Sequence, residues 1–173
     1  MKLIFVFPHF LVYMVKKLLF VFVFAGLILF FGCGKTVPDN PACTSKPVSA
    51  DSAKLLKYAA DSSITVTRDS TGMYYQIIDS GNNNKPIFSS NMYVNYTGRL
   101  MNGAIFDSAS NTNLNGFGLY KLIIGWRIGL PKIGVGGRIK MLIPSAYAWG
   151  CTGYGPVPAD APVFFDVELL SVN

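Results

Sequence analysis

The sequence predicts an α+β domain in which several antiparallel strands gather around one short amphipathic helix. Three observations carry that reading. Apolar residues recur with a period of two through most of the second half of the chain, as half-buried strands require. Asn102-Gly103 sits between Leu100 and Ile105, and Asn-Gly is the strongest short signal for a hairpin turn. One stretch, at about 125–133, has helical spacing instead, with Trp126, Leu130 and Ile133 on one face. Runs of strands with one isolated helix make an α+β arrangement.

The elements follow in order. Residues 18–31 are apolar or small without a charge, preceded by Lys16-Lys17 and followed by Gly32-Cys33. That run falls short of the about 20 residues of a membrane span and suits the apolar core of a signal peptide. An uncleaved anchor helix is the weaker reading, because the run stops on Gly32-Cys33 rather than on a basic cluster. Residues before Met14 add a second apolar stretch, so Met14 is the expected start of translation and 1–32 the expected signal peptide. Residues 33–48, rich in Pro, Ser, Thr and Asn, read as a flexible tether. Residues 49–60 carry Leu55, Leu56, Tyr58 and Ala59 between charges, a short helix that serves as a lid on the domain.

Strand signals then take over. Ile64, Val66 and Arg68 alternate with Thr65 and Thr67, 69–72 is a turn, and 73–78 resumes as strand. Residues 81–86 form a loop by composition. Met92, Val94 and Tyr96 face one way and Tyr93, Asn95 and Thr97 the other. Pro131 limits the helix at 125–133 to a short or kinked one. Ile139, Met141 and Ile143 alternate with Arg138, Lys140 and Leu142, and the chain closes with Val163, Phe165, Val167 and Leu169 opposed to Asp166 and Glu168. Residues 49–87 form an N-terminal extension, and 88–173 the main domain. The sequence leaves open whether the strands of the extension join the sheet or pack beside it.

Composition excludes several kinds of chemistry. Removal of 1–32 takes Lys2, Lys16, Lys17 and the one histidine, His9, leaving 12 basic residues against 9 acidic ones, a net charge of +3. That charge is too small and scattered for nucleic acid. A mature chain without histidine and with one glutamate, Glu168, has few groups for acid–base catalysis, lacks the commonest metal ligand, and offers no evident base for a nucleophile. Cys43 and Cys151 can form a disulfide in an exported protein or stand as two free thiols; spacing does not decide.

Five segments together resemble the FKBP family of prolyl isomerases. Residues 94–108, VNYTGRLMNGAIFDS, are similar to its V-x-Y-T-G strand, turn and F-D-S. Leu122-Ile-Ile-Gly-Trp126 resembles its (V/L)-I-x-G-W motif, and 136–144 its strand ending in Pro. Residues 146–150, AYAWG, look like A-Y-x-Y-G, and 163–170 like the closing strand. The order of the five, across about 88–173, makes the resemblance specific. Cys33, behind Leu29-Phe30-Phe31-Gly32, partly resembles the lipidated cysteine of a bacterial lipobox, with Phe30 and Phe31 in place of its Leu and small residue.

The resemblance implies a twisted antiparallel sheet wrapped over a short helix, and peptidyl-prolyl cis-trans isomerase activity without cofactor or metal. It implies proline-containing clients among exported proteins, and the lipobox likeness implies a lipid anchor at Cys33 holding the chain in a bacterial envelope. The charge leaves no nucleic-acid partner expected, and with no coiled-coil signal or long unpaired apolar edge a monomer is expected. Carried over position by position, Trp126 is the pocket floor under the proline ring, and Tyr96, Phe106 and Phe165 are walls joined by Leu122 and Ile123. Asp107 accepts a hydrogen bond at the rim, Val157 and Tyr154 belong to an apolar loop that meets ligand, and Phe117 is a further aromatic wall. Tyr147 and Trp149 come with A-Y-x-Y-G, where Trp149 replaces the tyrosine that offers its hydroxyl to a ligand carbonyl. Without the motif order, Trp126, Phe106 and Phe165 read as core, Tyr96 as an ordinary strand residue and Asp107 as a turn cap. A second functional reading is a non-catalytic FKBP-fold module that holds apolar or proline-bearing segments. A third, a purely structural envelope protein, does not require aromatics on five motifs.

Overall fold

Aromatic and β-branched residues at alternate positions suit a pleated, half-buried surface, and they draw this chain into one sheet. The computed structural model describes residues 43–113 and 118–173. Its main elements are helix α1 (Ser52–Asp61), strands β1 (Thr67–Arg68), β2 (Tyr74–Asp79), β3 (Met92–Leu100) and β4 (Ile105–Asn113), helix α2 (Ile124–Gly129), and strands β5 (Arg138–Ile143) and β6 (Val163–Val172). The strands lie in the order β1-β2-β5-β6-β3-β4, every neighbouring pair antiparallel. This is the expected α+β, FKBP-like architecture. The signal segment, Cys33 and most of the tether lie outside the described residues, as does Phe117.

The core lies mainly between α2 and one face of the sheet. Trp126 is 5 % exposed and Leu130 and Ile133 are fully buried, against Met141, Ile143, Val163, Phe165 and Val167. Pro131 does shorten the helix: α2 ends at Gly129, and a 3-10 turn over Leu130–Lys132 takes the proline near its start, where a missing N–H costs nothing.

The other sheet face has a smaller core of its own. Leu142 and Phe164 are register partners on β5 and β6, next to Met141 and Phe165 and therefore pointing the opposite way. Both are buried, with Leu55 and Ala59 of α1 and with Tyr74. The Tyr58 ring stands 5.3 Å from that of Phe164. α1 is thus a lid, as its one apolar side implies. Ile64 joins this cluster, its N–H donating to the Ala59 carbonyl at 2.8 Å, so only Thr67 and Arg68 of the expected strand at 64–68 pair in the sheet. β2 pairs with β5 and places the extension in the sheet itself.

Candidate active site

The site is a run of aromatic rings along one end of the sheet–helix core. β3 and β6 pair from Met92↔Val172 to Leu100↔Val163, which sets Tyr96 opposite Val167 and Gly98 opposite Phe165. Trp126, from α2, meets Phe165 edge-on at 5.2 Å and Tyr96 edge-on at 5.4 Å. Phe106, from β4, stands edge-on to Phe165 at 5.4 Å and to Trp149 at 5.8 Å. Tyr154 stacks on Trp149 at 5.7 Å with planes 11° apart. Edge-to-face pairs align a positive ring edge with a negative face and contribute about 0.5–1.5 kcal/mol each beyond their buried area.

Gly98 makes the arrangement possible. A Cβ there would fall 2.6 Å from Phe106 and 2.9 Å from Phe165, so only glycine lets β3 pass so close to both rings. Its residue type was visible within V-x-Y-T-G, since a glycine inside a strand marks a close approach. The neighbour that needs it was not visible.

Tyr96, Asp107, Leu122, Ile123, Trp126, Trp149 and Phe165 line a cavity of about 150 Å³. Pockets that engulf drug-sized ligands run to about 300–1,000 Å³, so this one suits a small ring and the amide beside it. Phe106 stands behind the lining, wedged between Phe165 and Trp149. Tyr154 extends outward from Trp149 and is 69 % exposed. Val157 is 3 % exposed and belongs to the core; its backbone exchanges two 2.9 Å hydrogen bonds with that of Tyr154. Tyr147 turns its hydroxyl to the Thr71 carbonyl at 3.0 Å and is not among the lining residues. Two larger concavities, of about 410 and 580 Å³, involve the opposite parity of β3 and β6 and the junction of α1 with the β3–β4 turn. Charged residues such as Arg99, Asp166 and Lys57 line them, a setting for solvent rather than for an apolar ring.

One polar pair sits at the cavity rim. The Tyr96 hydroxyl donates to Asp107 Oδ2 at 2.8 Å. Burial, then the hydrogen bond to Asp107, then the carboxylate's charge push the Tyr96 phenol up to about 12. The phenol therefore stays a neutral donor across the physiological range. At the floor, the buried Trp126 Nε1–H has no hydrogen-bond partner among the described residues. Among those residues no group of three His, Cys, Asp or Glu could hold a metal ion.

Cys43 and Cys151 are joined as a disulfide, with Cα atoms 5.7 Å apart. The bond lands two residues beyond Trp149.

These features define a class: an antiparallel sheet closed over one short helix, with an aromatic slot between them that offers binding surface and hydrogen-bond groups. A family model described as FKBP-type peptidyl-prolyl cis-trans isomerase matches residues 82–170, and the chain belongs to that family. It is 38 % identical over 109 residues to the FKBP-type peptidyl-prolyl cis-trans isomerase FkpA of Escherichia coli K12, covering 62 % of this chain and 40 % of that one. It is 43 % identical over 84 residues to FK506-binding protein 1 of Debaryomyces hansenii, covering 46 % of this chain and 75 % of that one. The solved structure of E. coli FkpA superposes with a TM-score of 0.61 at 36 % identity, over 73 % of this chain and 61 % of that one. A peptidyl-prolyl cis-trans isomerase structure from Pseudomonas syringae gives 0.60 at 28 % identity, over 75 % of this chain and 98 % of that one. The chain thus spans about two-fifths of the length of the E. coli relative.

Proposed function

We propose that this chain is a peptidyl-prolyl cis-trans isomerase acting on exported polypeptides at a bacterial cell envelope. The single observation that carries the reading is the 150 Å³ cavity floored by Trp126 and walled by Tyr96, Phe165, Leu122, Ile123 and Trp149. Rotation about a peptide bond meets a barrier of about 18–20 kcal/mol, because the twisted amide loses its C–N resonance. No bond is made or broken, so the reaction needs only a surface that binds the twisted amide better than the planar one.

The aromatic cavity suits that task. A proline ring seated on Trp126 is surrounded by rings and aliphatic side chains, which exclude the water that favours the more polar planar amide. Tyr96 and Asp107 present a hydroxyl and a carboxylate at the rim, where the rotating carbonyl and the preceding residue lie. Trp149, which lines the cavity, carries an indole N–H donor. Each tenfold acceleration asks for about 1.4 kcal/mol of preference for the twisted form. In this reading Phe106 keeps Phe165 and Trp149 apart at the correct spacing, and Tyr154 and Val157 set the outer loop.

The envelope location, with a lipid on Cys33, is supported by the uncharged run at 18–31 ending in Gly32-Cys33 and by the disulfide, a bond that persists in oxidising compartments. The functional test is NMR exchange spectroscopy of a short Xaa-Pro peptide with the full chain. Uncatalysed exchange takes tens to hundreds of seconds, so weak catalysis is visible. Faster exchange that vanishes on Phe106→Ala with Asp107→Ala supports the reading. Peptide binding without acceleration would replace it by a holding module.

A further inference from the structure

We propose that the segment ahead of α1 is a strap that positions the pocket's loop wall, and that the Cys43–Cys151 disulfide is its main fastening. The inference rests on the isomerase reading for its kinetic consequence, though not for its structural one.

The loop wall is the stretch that follows β5 and carries Trp149 and Tyr154. Its ties to the N-terminal segment come at several points, all from residues that precede the family match at 82–170. The Asp51 carboxylate, 2 % exposed, accepts from the Ser145 N–H at 2.8 Å and from the Ser145 hydroxyl at 2.6 Å. Tyr147 donates to the Thr71 carbonyl, a further tie that comes from the β1–β2 turn and not from the strap. Cys151 is bonded to Cys43. Lys46 lies 3.3 Å from Asp160, whose own N–H donates to the Gly150 carbonyl at 2.8 Å. At Gly150 the backbone is left-handed, with φ of 54°, and a Cβ would fall on Ser45 Oγ.

The strap therefore holds residues 145, 150, 151 and 160 from behind, and the two rings at the pocket mouth lie within this frame. Trp149 is next to Gly150, with its carbonyl accepting from the Thr152 hydroxyl at 2.8 Å. Tyr154 stacks on its indole. A side chain that must meet a rotating carbonyl needs its position fixed to a fraction of an ångström, and a loop alone does not supply that. Cys43, Cys151 and Asp51 are positioning residues: they touch no substrate and act through Trp149.

The experiment compares the full chain with its Cys43→Ala, Cys151→Ala variant. It reads the indole ¹H–¹⁵N signals of Trp126 and Trp149, the hydrogen-exchange protection of β3–β6 amides, and kcat and KM on the Xaa-Pro peptide. The expected result is a shifted or doubled Trp149 signal, an unmoved Trp126 signal, retained β3–β6 protection and a roughly tenfold fall in kcat/KM. An unmoved Trp149 signal with unchanged kcat/KM would overturn the strap. So would movement of both indoles together with loss of β3–β6 protection, the mark of a general structural staple. Should the double variant not accumulate as protein, the native chain is read before and after reduction by dithiothreitol, with the same readouts and the same outcomes. If the native chain does not accelerate the peptide, the isomerase reading fails, and the two indole signals still decide the strap.

Discussion

Trp126 and Phe165 form one side of the pocket and Trp149, with Tyr154 stacked outside it, the other, and the two sides are held by different means. Phe165 lies in the middle of the sheet, paired with Gly98 on β3 and Met141 on β5, and Trp126 is packed on it from α2. Trp149 and Tyr154 lie on a loop whose outermost tie is a disulfide to a residue 108 positions earlier. The floor is thus a by-product of folding, since any change that loosens it also opens the core. On the strap proposal the loop wall is separable, its ties open to change while the sheet stays intact. In a chain-entropy estimate, closing a loop of that length stabilises the fold by about 4–5 kcal/mol. That acts on the whole domain, so kinetic and spectroscopic readouts, rather than melting alone, separate the two sides.

The largest effect is expected at the floor. Phe165→Ala removes a ring that is 3 % exposed and touches Tyr96, Phe106 and Trp126. It should destabilise the domain by about 3–5 kcal/mol, as other buried aromatic truncations do, and abolish turnover. Urea unfolding followed by circular dichroism measures the first, and peptide exchange the second. A loss under 1 kcal/mol would mean the floor is no more integral than the wall.

An intermediate effect is expected at the rim, where Tyr96→Phe removes the donor to Asp107 and keeps the ring. About 1 kcal/mol of stability goes with the hydrogen bond. The variant also changes the alkaline limb. In the native chain the phenol is pushed up from 10.0 to about 12, so folding favours its neutral form. That contribution is complete below pH 10 and is lost as pH rises towards 12. Unfolding measured between pH 9 and 12 should show the decline in the native chain and a smaller one in Tyr96→Phe. Equal slopes would place the pair outside the stability of the folded state.

The two sides were also unequally legible in the sequence. Period-two alternation at 92–97 and 139–143 located β3 and β5, and Asn102-Gly103 located the β3–β4 turn. Trp126, Leu130 and Ile133 located α2 and its buried face. These are local signals, and tertiary packing reinforced them. Leu142 fell on the polar parity of its strand, because its burial depends on α1, a lid contributed from far along the chain. For the same reason the pairing of β2 with β5 was left open. At the site, the order of motifs brought Tyr96, Asp107, Leu122, Ile123, Trp126, Trp149 and Phe165 to one cavity. Tyr147 came with its motif, yet its hydroxyl is engaged by Thr71, a backbone partner no side-chain pattern announces. The strap was out of reach for the same physical reason: Asp51 and Ser145 are ordinary residues 94 positions apart until the fold joins them.

The smallest effect on stability, and the most informative one on chemistry, is expected at Trp149. Its indole is half-buried, meets Phe106 edge-on and carries Tyr154 on its face. Trp149→Tyr leaves both neighbours an aromatic partner and touches none of the sheet ladders, so the change in unfolding free energy should stay within about 0.5 kcal/mol. The exchange of an N–H fixed in a large ring plane for a rotatable O–H alters the donor at the mouth. A hydroxyl that can follow the carbonyl through rotation should hold the twisted amide better, raising kcat by about threefold, while the smaller ring weakens peptide binding and raises KM. Exchange spectroscopy at several peptide concentrations separates the two constants. A gain in kcat with the fold unchanged would make the loop wall the tunable side of the pocket. Identical constants in the two proteins would mean that residue 149 only fills space, and that Tyr96, Asp107 and the floor do all the work of holding the twisted amide.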